Sequence, residues 1–411
     1  MKVLIIDDVC FDKQHDTVAR HEFEYLQRQG HTVYLYGWGD PQNYTNNHFV
    51  VCPESFGYFR KKVEKFWGSS RLKKHFKETL KTIDPDVIHI HLVSKFPLAI
   101  YPELGGKRVV HTLHGPNLFC PISWGCTRRS SAPCELGVGL KCWLRGCCSF
   151  NKLILLYPLW KKVNRCLQRN ITLFHCPSRN IYRAAWNVGF KNLCYTPLGI
   201  ENLFQFGNNT CKNKIPTVLF VGSVAEAKGI RYLLDAFLLI LQEVPTAQLL
   251  IAGRGPNSNF VQSFVNNHKL QEHVKCLGFV AHDNLGDIYK KSHVLVMPSI
   301  WSEQFGRVGP EALLCGTPCV ASDIGGIPEW LIDQESGFLV SPRNQKALAE
   351  RILTLLKNPI LAKHFGEFGG NFIRNHYSIE KFNQNMERML MDVATGKSPH
   401  SFYDYNDGRS L

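Results

Sequence analysis

The sequence predicts an α/β protein built from two doubly wound domains. Short apolar strands alternate with helical stretches in both halves of the chain, which is the pattern of a sheet covered by helices. The 411 residues exceed what one hydrophobic core usually organises, and a polar, turn-rich stretch at 205–215 separates the halves. We therefore expect an N-terminal domain at 1–200 and a C-terminal domain at 201–375.

The first half opens with a strand at 3–6, a helix at 16–29 that ends at Gly30, and a second strand at 31–36. A long basic amphipathic helix at 58–81 follows. Four further apolar segments complete the predicted first sheet, at 87–91, 109–113, 173–177 and 193–196. A cysteine-rich insert at 115–150 interrupts this order.

The second half alternates more regularly, which is typical of a parallel sheet. Its predicted strands are 217–221, 248–252, 274–277, 294–297 and 318–321, and its predicted helices are 230–242, 257–268, 283–291 and 308–315. We expect a helix at 376–395 that crosses back to the N-terminal domain, and a flexible tail at 396–411.

The net charge of +14 lies entirely in residues 1–199, because residues 200–411 carry equal numbers of cations and acids. Nine of the cations fall in the helix at 58–81, and a second apolar and basic stretch lies at 153–165. Both are either solvated faces or surfaces that rest on anionic lipid, with Phe76 among the aromatic residues of the first. No nucleic-acid module is present, so we expect no nucleic-acid partner.

Neither a signal peptide nor an apolar run of about 18–20 residues, the length of a membrane span, is evident. We therefore expect a cytoplasmic protein, peripheral at the inner face of a membrane if the basic surface binds lipid.

Residues 298–329 carry the sharpest motif, PSIWSEQFGRVGPEALLCGTPCVASDIGGIPE. Glu303 lies in the loop after an apolar strand, and Glu311 lies in the first turn of the next helix. Carboxylates and backbone N–H groups therefore meet at the carboxyl edge of a parallel sheet, where ligands bind in such folds. Carboxylates accept hydrogen bonds from sugar hydroxyls, while amides and cations hold phosphates.

This motif, with two glutamates eight positions apart, resembles the retaining GT-B glycosyltransferases of family 4. The resemblance covers most of residues 80–345. Its further motifs are Val221-Gly222-Ser223 with Lys228-Gly229, the segment Ala252 to Pro256, Gly278-Phe279-Val280, Pro197 to Ile200, Pro85 to His91, and His111 to Gly115. The resemblance implies two Rossmann-like domains that face each other across a cleft.

By resemblance, the catalytic residues are His114 beside the reacting carbon and Glu303 on the donor sugar. Phe305 and Gly306 are implied to offer backbone amides, Glu311 to bind the ribose, and Lys228 to neutralise the diphosphate. The remaining donor-binding residues implied are Gly222, Ser223, Arg254, Gly255, Val280 and Arg307. His114 also has a simpler interpretation, as a strand-end histidine satisfied by backbone.

Two departures from the family stand out. Ser223 occupies the phosphate-loop position where relatives usually have arginine, so Arg254 or Arg307 would have to supply that charge. The glycine-rich turn after the first strand is replaced by residues 11–16, FDKQHD.

Fifteen cysteines are present, and six of them lie between Cys120 and Cys148. No CxxC pair occurs, so two interpretations remain open. Either Cys120, Cys134, Cys142 and Cys147 hold a structural metal or cluster, or reduced thiols pack the insert.

The sequence and the resemblance together predict a retaining hexosyltransferase that uses a UDP- or GDP-linked sugar in surface polysaccharide synthesis. The acceptor would be a glycan or a lipid-linked sugar. No Asp-x-Asp motif stands at a suitable place, so we expect no catalytic metal and no cofactor. The alternatives are a nucleotide-sugar epimerase or hydrolase of the same shape, and a catalytically weak nucleotide-sugar-binding scaffold. A dehydrogenase is excluded, because no G-x-G-x-x-G follows the first strand.

Overall fold

The computed structural model describes residues 1–7, 18–37, 48–51, 69–93, 97–115, 120, 125–131, 134, 138–201 and 212–397. The chain divides into two compact units. The first comprises Met1–Ser123, Glu135–Pro197 and Phe382–Leu411, and the second comprises Trp124–Cys134 and Leu198–Lys381. Residues 11–16, 58–68, most of the stretch at 205–215 and nearly all of the tail at 396–411 lie outside the described residues.

The first unit is built on a parallel sheet with the strand order β3-β2-β1-β4-β5-β6-β7. Its strands are β1 Lys2–Asp7, β2 Thr32–Gly37, β3 Phe49–Val51, β4 Val87–Leu92, β5 Val109–Thr112, β6 Leu173–Cys176 and β7 Leu193–Tyr195. The order reverses direction between β1 and β4. In an open parallel sheet, such a reversal leaves a crevice at the carboxyl ends of the two strands.

The helices of the first unit are α1 Val18–Arg28, α2 Ser70–Ile83, α3 Pro97–Ile100, α4 Leu140–Leu144, α5 Phe150–Asn170 and α6 Arg179–Asn187. Because the sheet is covered by helices, its strands read as nearly continuous apolar runs, and Val3 to Ile6 are fully buried. The amphipathic helix α2 presents Phe76 to this core rather than to a surface. This corrects the expectation that Phe76 belongs to a lipid-facing aromatic set.

The second unit is built on a parallel sheet with the order β10-β9-β8-β11-β12-β13. Its strands are β8 Thr217–Val221, β9 Gln248–Ala252, β10 Val274–Gly278, β11 Val294–Met297, β12 Cys319–Ser322 and β13 Gly337–Val340. Its helices are α7 Ile230–Glu243, α8 Ser258–Asn267, α9 His282–Lys291, α10 Val308–Leu314, α11 Gln345–Lys357 and α12 Pro359–His376. Here the order reverses between β8 and β11.

The C-terminal helix α13, Ile379–Thr395, joins the first unit from Phe382 onward. Glu387 anchors it there, because its carboxylate accepts a hydrogen bond from the Tyr25 hydroxyl at 3.0 Å and pairs with His31 at 2.8 Å.

Part of the cysteine-rich insert belongs to the second unit rather than to the N-terminal domain that the sequence predicts for all of it. In this segment the Ser131 hydroxyl donates to the Ile300 carbonyl at 2.7 Å, and Arg343 donates to the Ser131 hydroxyl at 3.0 Å and to the Arg128 carbonyl at 2.6 Å. Arg128 also pairs with Glu226 at 3.0 Å. Arg128 and Ser131 are therefore bound to other residues of the second unit.

The longest helix, α5, is not among the predicted elements, because Pro158 interrupts its apolar pattern in sequence. A proline in a helix removes one backbone hydrogen bond and usually bends the helix without always ending it. No described helix is long and apolar enough to cross a membrane.

We predict that Gly253→Ala lowers the melting temperature of the second unit far more than Gly222→Ala. Both glycines have positive φ, +151° and +138°, which costs an alanine on the order of 1–3 kcal/mol. A Cβ atom on Gly253 would also come within 1.8 Å of the Gly222 carbonyl oxygen, whereas one on Gly222 meets nothing within 4 Å. Differential scanning calorimetry of both variants measures the difference, and equal destabilisation would contradict the close approach of the two loops.

Candidate functional site

The reversal point of the second sheet gathers most of the predicted donor-side residues. Gly222 and Lys228 lie in the loop after β8, and Glu303 lies in the loop after β11. Because these two strands are neighbours in the sheet, their following loops meet at one edge.

Glu303 is the buried centre of this edge, only 3% exposed. Its Oε1 atom accepts hydrogen bonds from Lys228 Nζ and from the Ser299 hydroxyl, both at 2.6 Å. Lys228 Nζ also lies 5.0 Å from the ring centroid of Trp301. No hydrogen bond joins Glu303 Oε2 to a described residue, so this oxygen can accept one from a ligand hydroxyl.

The glycine pair Gly325-Gly326 wraps the backbone of Glu303. The Gly326 N–H donates to the Glu303 carbonyl at 2.7 Å, and a Cβ atom on Gly325 would lie 2.2 Å from that same oxygen. Gly325 also has φ +65°. Only glycine satisfies both the space and the dihedral angle, which explains the motif GGIPE in physical terms.

Glu311, in the first turn of α10, is 4% exposed and receives three polar neighbours. Tyr289 donates to Oε2 at 3.0 Å, while His282 Nε2 lies 3.3 Å and Arg307 Nε 3.7 Å from Oε1. Burial alone would raise the pKa of Glu311, but the His282 hydrogen bond, the charges of Arg307 and His282, and the Tyr289 bond outweigh it and lower that pKa. Glu311 is therefore an ionised acceptor.

Phe305 and Gly306 form a rigid turn between the two glutamates. Trp330 donates its indole N–H to the Phe305 carbonyl, and the Phe305 ring packs on Tyr377. Gly306 adopts φ +82°, and a Cβ atom there would lie 2.8 Å from Met297.

The loops after β8 and β9 are interlocked. The Val224 N–H donates to the Arg254 carbonyl at 3.1 Å, and a Cβ atom on Gly255 would lie 2.4 Å from the Val224 carbonyl oxygen. The guanidinium of Arg254 lies over Gly278, two residues before the half-buried Val280. Ser223 is exposed.

The two arginines that could replace the missing charge at Ser223 have different surroundings. Arg307 is the helix neighbour of Glu311, and Arg254 stacks over the end of β10. Lys228 pairs with the other buried carboxylate of this edge, Glu303, at 2.6 Å.

In the first unit, His114 ends a hydrogen-bonded chain that begins at Glu22 on α1. Glu22 Oε1 lies 2.7 Å from His89 Nδ1, and Oε2 lies 2.6 Å from His91 Nε2. The other nitrogen of His91, Nδ1, lies 2.9 Å from His114 Nε2. The simpler interpretation of His114, as a histidine satisfied by backbone, is therefore incomplete.

A second branch leaves His89 toward the edge of the sheet. His89 Nε2 lies 2.7 Å from the Thr112 hydroxyl, which lies 2.9 Å from His175 Nδ1, and His175 Nε2 lies 3.0 Å from the Thr196 carbonyl oxygen. Burial lowers the pKa of His175 to about 3 and holds the pKa of His114 well below its ordinary value. Both rings are neutral at neutral pH.

Among the described residues, one group of three or more potential metal ligands places its atoms within 4.8 Å of one another: Glu22, His89 and His91. Their 2.6 and 2.7 Å separations are hydrogen-bond lengths, whereas two ligands of one tetrahedral zinc lie about 3.3 Å apart. Glu22 is therefore hydrogen-bonded to His89 and to His91.

The four cysteines predicted as a structural metal site form no such group. Cys120, Cys142 and Cys147 belong to the first unit and Cys134 to the second. All four are free thiols, and three of them are buried. Packing of the insert by reduced thiols stays a prediction.

Sequence reasoning missed Glu22, Ser299 and Tyr289. Ser299 lies inside the recognised motif, four residues before Glu303, and that spacing was the available signal. Glu22 lies 67 residues from His89 in an ordinary amphipathic helix, and nothing local marks it.

Comparisons with known proteins identify related families over both halves of the chain. Residues 203–372 match the family Glycosyl transferases group 1, and residues 16–201 match Glycosyltransferase Family 4. A phosphatidyl-myo-inositol mannosyltransferase from Mycobacterium leprae is 34% identical over 183 residues, which are 44% of this chain and 48% of that protein. The matched part thus spans about half the length of that relative.

Solved structures support the same fold. Sucrose-phosphate synthase from Thermosynechococcus elongatus superposes with a TM-score of 0.76 at 20% identity, covering 96% of this chain and 99% of that one. Anabaena HepE, solved in complex with UDP-glucose, gives a TM-score of 0.69 at 17% identity, covering 95% and 100%. The fold is GT-B, and the matches together support a GT-B glycosyltransferase.

We predict that Lys228→Met destabilises the second unit by roughly 1–3 kcal/mol, because it leaves the buried Glu303 carboxylate without its cation. The double variant with Glu303→Gln should lose less than the sum of the two single changes. Urea unfolding measures both effects.

The matched control is Lys357→Met, which breaks an exposed pair with Glu243 of similar length, 2.8 Å. We expect little change there, because exposed ion pairs contribute little. Equal effects at Lys228 and Lys357 would contradict the compensating role of Lys228.

Proposed function

We propose that this protein transfers a hexose-type sugar from a nucleotide-sugar to a glycan or lipid-linked acceptor. The observation that carries the proposal is the edge at Glu303, where one carboxylate oxygen is held by Lys228 and Ser299 and the other is open. An acceptor oxygen beside a cation suits a ligand that has hydroxyls on one side and phosphates on the other.

Each group has a distinct task in this proposal. Glu303 Oε2 accepts a hydrogen bond from a sugar hydroxyl, and Lys228 pairs with the diphosphate, which competes with Glu303 for its charge. Glu311, already ionised, accepts from the ribose hydroxyls. The amides of Phe305 and Gly306 and the N-terminus of α10 face the sugar and phosphates. Val280 lies beside the nucleobase.

Chemically, the bond between the sugar C1 and the phosphate oxygen breaks, and its electrons leave on the diphosphate. The acceptor oxygen bonds to C1 on the same face, and its proton passes to the departing phosphate oxygen. Lys228 and the helix dipole stabilise the negative charge that develops. Retention of configuration is part of the proposal and rests on the family resemblance.

The structure of one relative supports a uridine donor, while a guanosine donor rests on the resemblance alone. HepE was solved with UDP-glucose, and the mycobacterial relative is named a mannosyltransferase. The exposed Ser223 keeps the scaffold alternative open to test, because the phosphate loop has one cation fewer than the resemblance implies.

We predict that one of UDP, GDP, ADP and NAD binds far more tightly than the others in calorimetric titration. Glu311→Ala should weaken that binding about 10- to 100-fold, because a buried acceptor for the ribose hydroxyls is lost. Equal binding by all four, or unchanged affinity in the variant, would contradict the assigned donor site.

Transfer itself is measured with the matching nucleotide-sugar and a mixture of candidate acceptors. Glu303→Gln keeps the shape and removes the charge, so it should abolish transfer while nucleotide binding persists. Conversion of the nucleotide-sugar without acceptor would favour the epimerase or hydrolase. Binding without any turnover would favour the scaffold.

We further propose that the first unit docks on an anionic membrane surface through α4 and the start of α5. Large apolar side chains stand exposed there, and the rings of Trp143 and Phe150 lie 5.2 Å apart. The exposed set is Leu140, Trp143, Leu144, Phe150, Ile154, Leu155 and Tyr157. We call it the apolar patch.

Charge complementarity selects the lipid as occupant. Residues 136–200 contain ten Lys and Arg and no Asp or Glu. Lys141, Arg145 and Lys152 lie exposed within the patch region, and Lys161 and Lys162 lie further along α5. An apolar face surrounded by cations is typical of interfacial helices on anionic lipid. A lipid-linked acceptor would be presented at such a surface.

We predict that the protein sediments with vesicles of phosphatidylserine and phosphatidylcholine, and much less with phosphatidylcholine alone. Leu144→Asp with Ile154→Asp should reduce binding roughly tenfold or more, since each inserted side chain contributes about 1.5–3 kcal/mol. Added salt should also weaken binding.

The matched control is Ile360→Asp, which removes a hydrophobic residue that is 84% exposed in the second unit. It should leave vesicle binding unchanged. Absence of sedimentation by the unaltered protein, or dimerisation that the Leu144 and Ile154 changes abolish, would overturn the membrane assignment.

A further inference from the structure

The hydrogen bonds that link Glu22 to the histidines determine which ring nitrogens carry protons, beginning at Thr196. The Thr196 carbonyl oxygen can only accept, so His175 Nε2 carries a proton. His175 is fully buried with only a carbonyl and a hydroxyl as partners, so a second proton would leave an unpaired buried charge. Its Nδ1 atom is therefore an acceptor.

That assignment sets the next two donors. The Thr112 hydroxyl has one proton and must give it to His175 Nδ1. Its oxygen then accepts from His89, so His89 Nε2 carries a proton. The opposite nitrogen, His89 Nδ1, faces the Glu22 carboxylate at 2.7 Å.

Burial alone would raise the pKa of Glu22, but the charge of His89 and the hydrogen bonds from His89 and His91 to its two oxygens outweigh burial and lower that pKa strongly, so Glu22 is ionised. A carboxylate can only accept, so His89 Nδ1 is protonated as well. His89 is therefore a buried imidazolium paired with Glu22, and the pair has no net charge.

The other branch reaches His114. Glu22 Oε2 accepts from His91 Nε2. A second imidazolium on the same carboxylate would leave a net charge on buried groups, so His91 is neutral and its Nδ1 atom accepts. His114 Nε2 must then donate to it across 2.9 Å.

We propose that Glu22, through His91, holds His114 as the neutral tautomer whose proton is on Nε2 and whose Nδ1 lone pair is available to a ligand hydroxyl. Glu22 and His91 are thus positioning residues. His114 is half-buried, and no hydrogen bond joins its Nδ1 to a residue within the described ranges.

The position of this proton limits what His114 can do in catalysis. The role given to His114 here rests on the proposed function. A lone pair at Nδ1 accepts a hydrogen bond from a sugar hydroxyl and orients it. It has no proton to give to a departing phosphate, so His114 does not act as an acid in bond cleavage. In the other tautomer Nδ1 would carry the proton, so it would donate to a hydroxyl oxygen and could no longer accept a hydrogen bond from the hydroxyl.

Neutron diffraction from deuterated crystals of the ligand-free protein tests the proposal directly. We expect deuterium on Nε2 but not Nδ1 of His114, and on both nitrogens of His89. Deuterium on His114 Nδ1, a singly protonated His89, or stoichiometric zinc in the purified protein would each overturn it. Because no donor is needed, failure of glycosyl transfer leaves this result standing.

Two variants at Glu22 test the consequence for turnover. In Glu22→Gln the amide can donate to His89 Nδ1 and its carbonyl can accept from His91 Nε2, so His114 keeps its tautomer. In Glu22→Leu the acceptor is gone. We expect Glu22→Leu to lower kcat at least about tenfold with little change in the donor KM, and Glu22→Gln to stay close to the unaltered protein.

Equal losses in both Glu22 variants, or a loss confined to KM, would contradict a positioning role. Selective ¹⁵N-histidine labelling supplies a second measurement if Glu22→Leu folds poorly. In Glu22→Gln, long-range ¹H–¹⁵N correlations should show His89 with a single ring proton and His114 unchanged, and any other pattern overturns the proposed chain.

Discussion

Burial of carboxylates inside each of the two α/β units is the constraint on which both halves of this protein depend. Glu22, Glu303 and Glu311 are each no more than 4% exposed. An ionised group at such a depth loses several kcal/mol of hydration, which nearby donors and cations must replace. The loops that supply those donors therefore have little freedom of conformation, and glycines occur where their backbones come together.

The two units meet this constraint with different chemistry. In the second unit, Glu303 and Glu311 are surrounded by lysine, arginine and hydroxyl donors. These donors can turn from the carboxylates to a charged ligand. In the first unit, Glu22 is enclosed by histidines, whose protons can be relocated without moving any heavy atom. One edge is suited to binding an anion, and the other is suited to presenting one defined hydrogen-bonding atom.

Much of the fold follows from the sequence, because the apolar strands and the motif at Glu303 are local patterns. Glu303 and Glu311 could be predicted as donor-side residues because they lie eight positions apart in one local motif. The histidine chain could not be found in this way, because Glu22 meets His89 only after α1 packs on the sheet. Pro158 interrupts the apolar pattern of the long helix α5, so the sequence did not predict that helix. The spacing of the clustered cysteines leaves open which thiols lie together.

The contacts of Ser131 can form only late in the synthesis of the chain. Ser131 is bound by Arg343, which is synthesised 212 residues later. At about 5–20 residues per second, this segment waits on the order of 10–40 s for its partner to be translated. The first unit, whose synthesis starts earlier, waits longer still for helix α13, whose Glu387 binds Tyr25. The half of the protein that begins first on the ribosome is thus the half that is completed last.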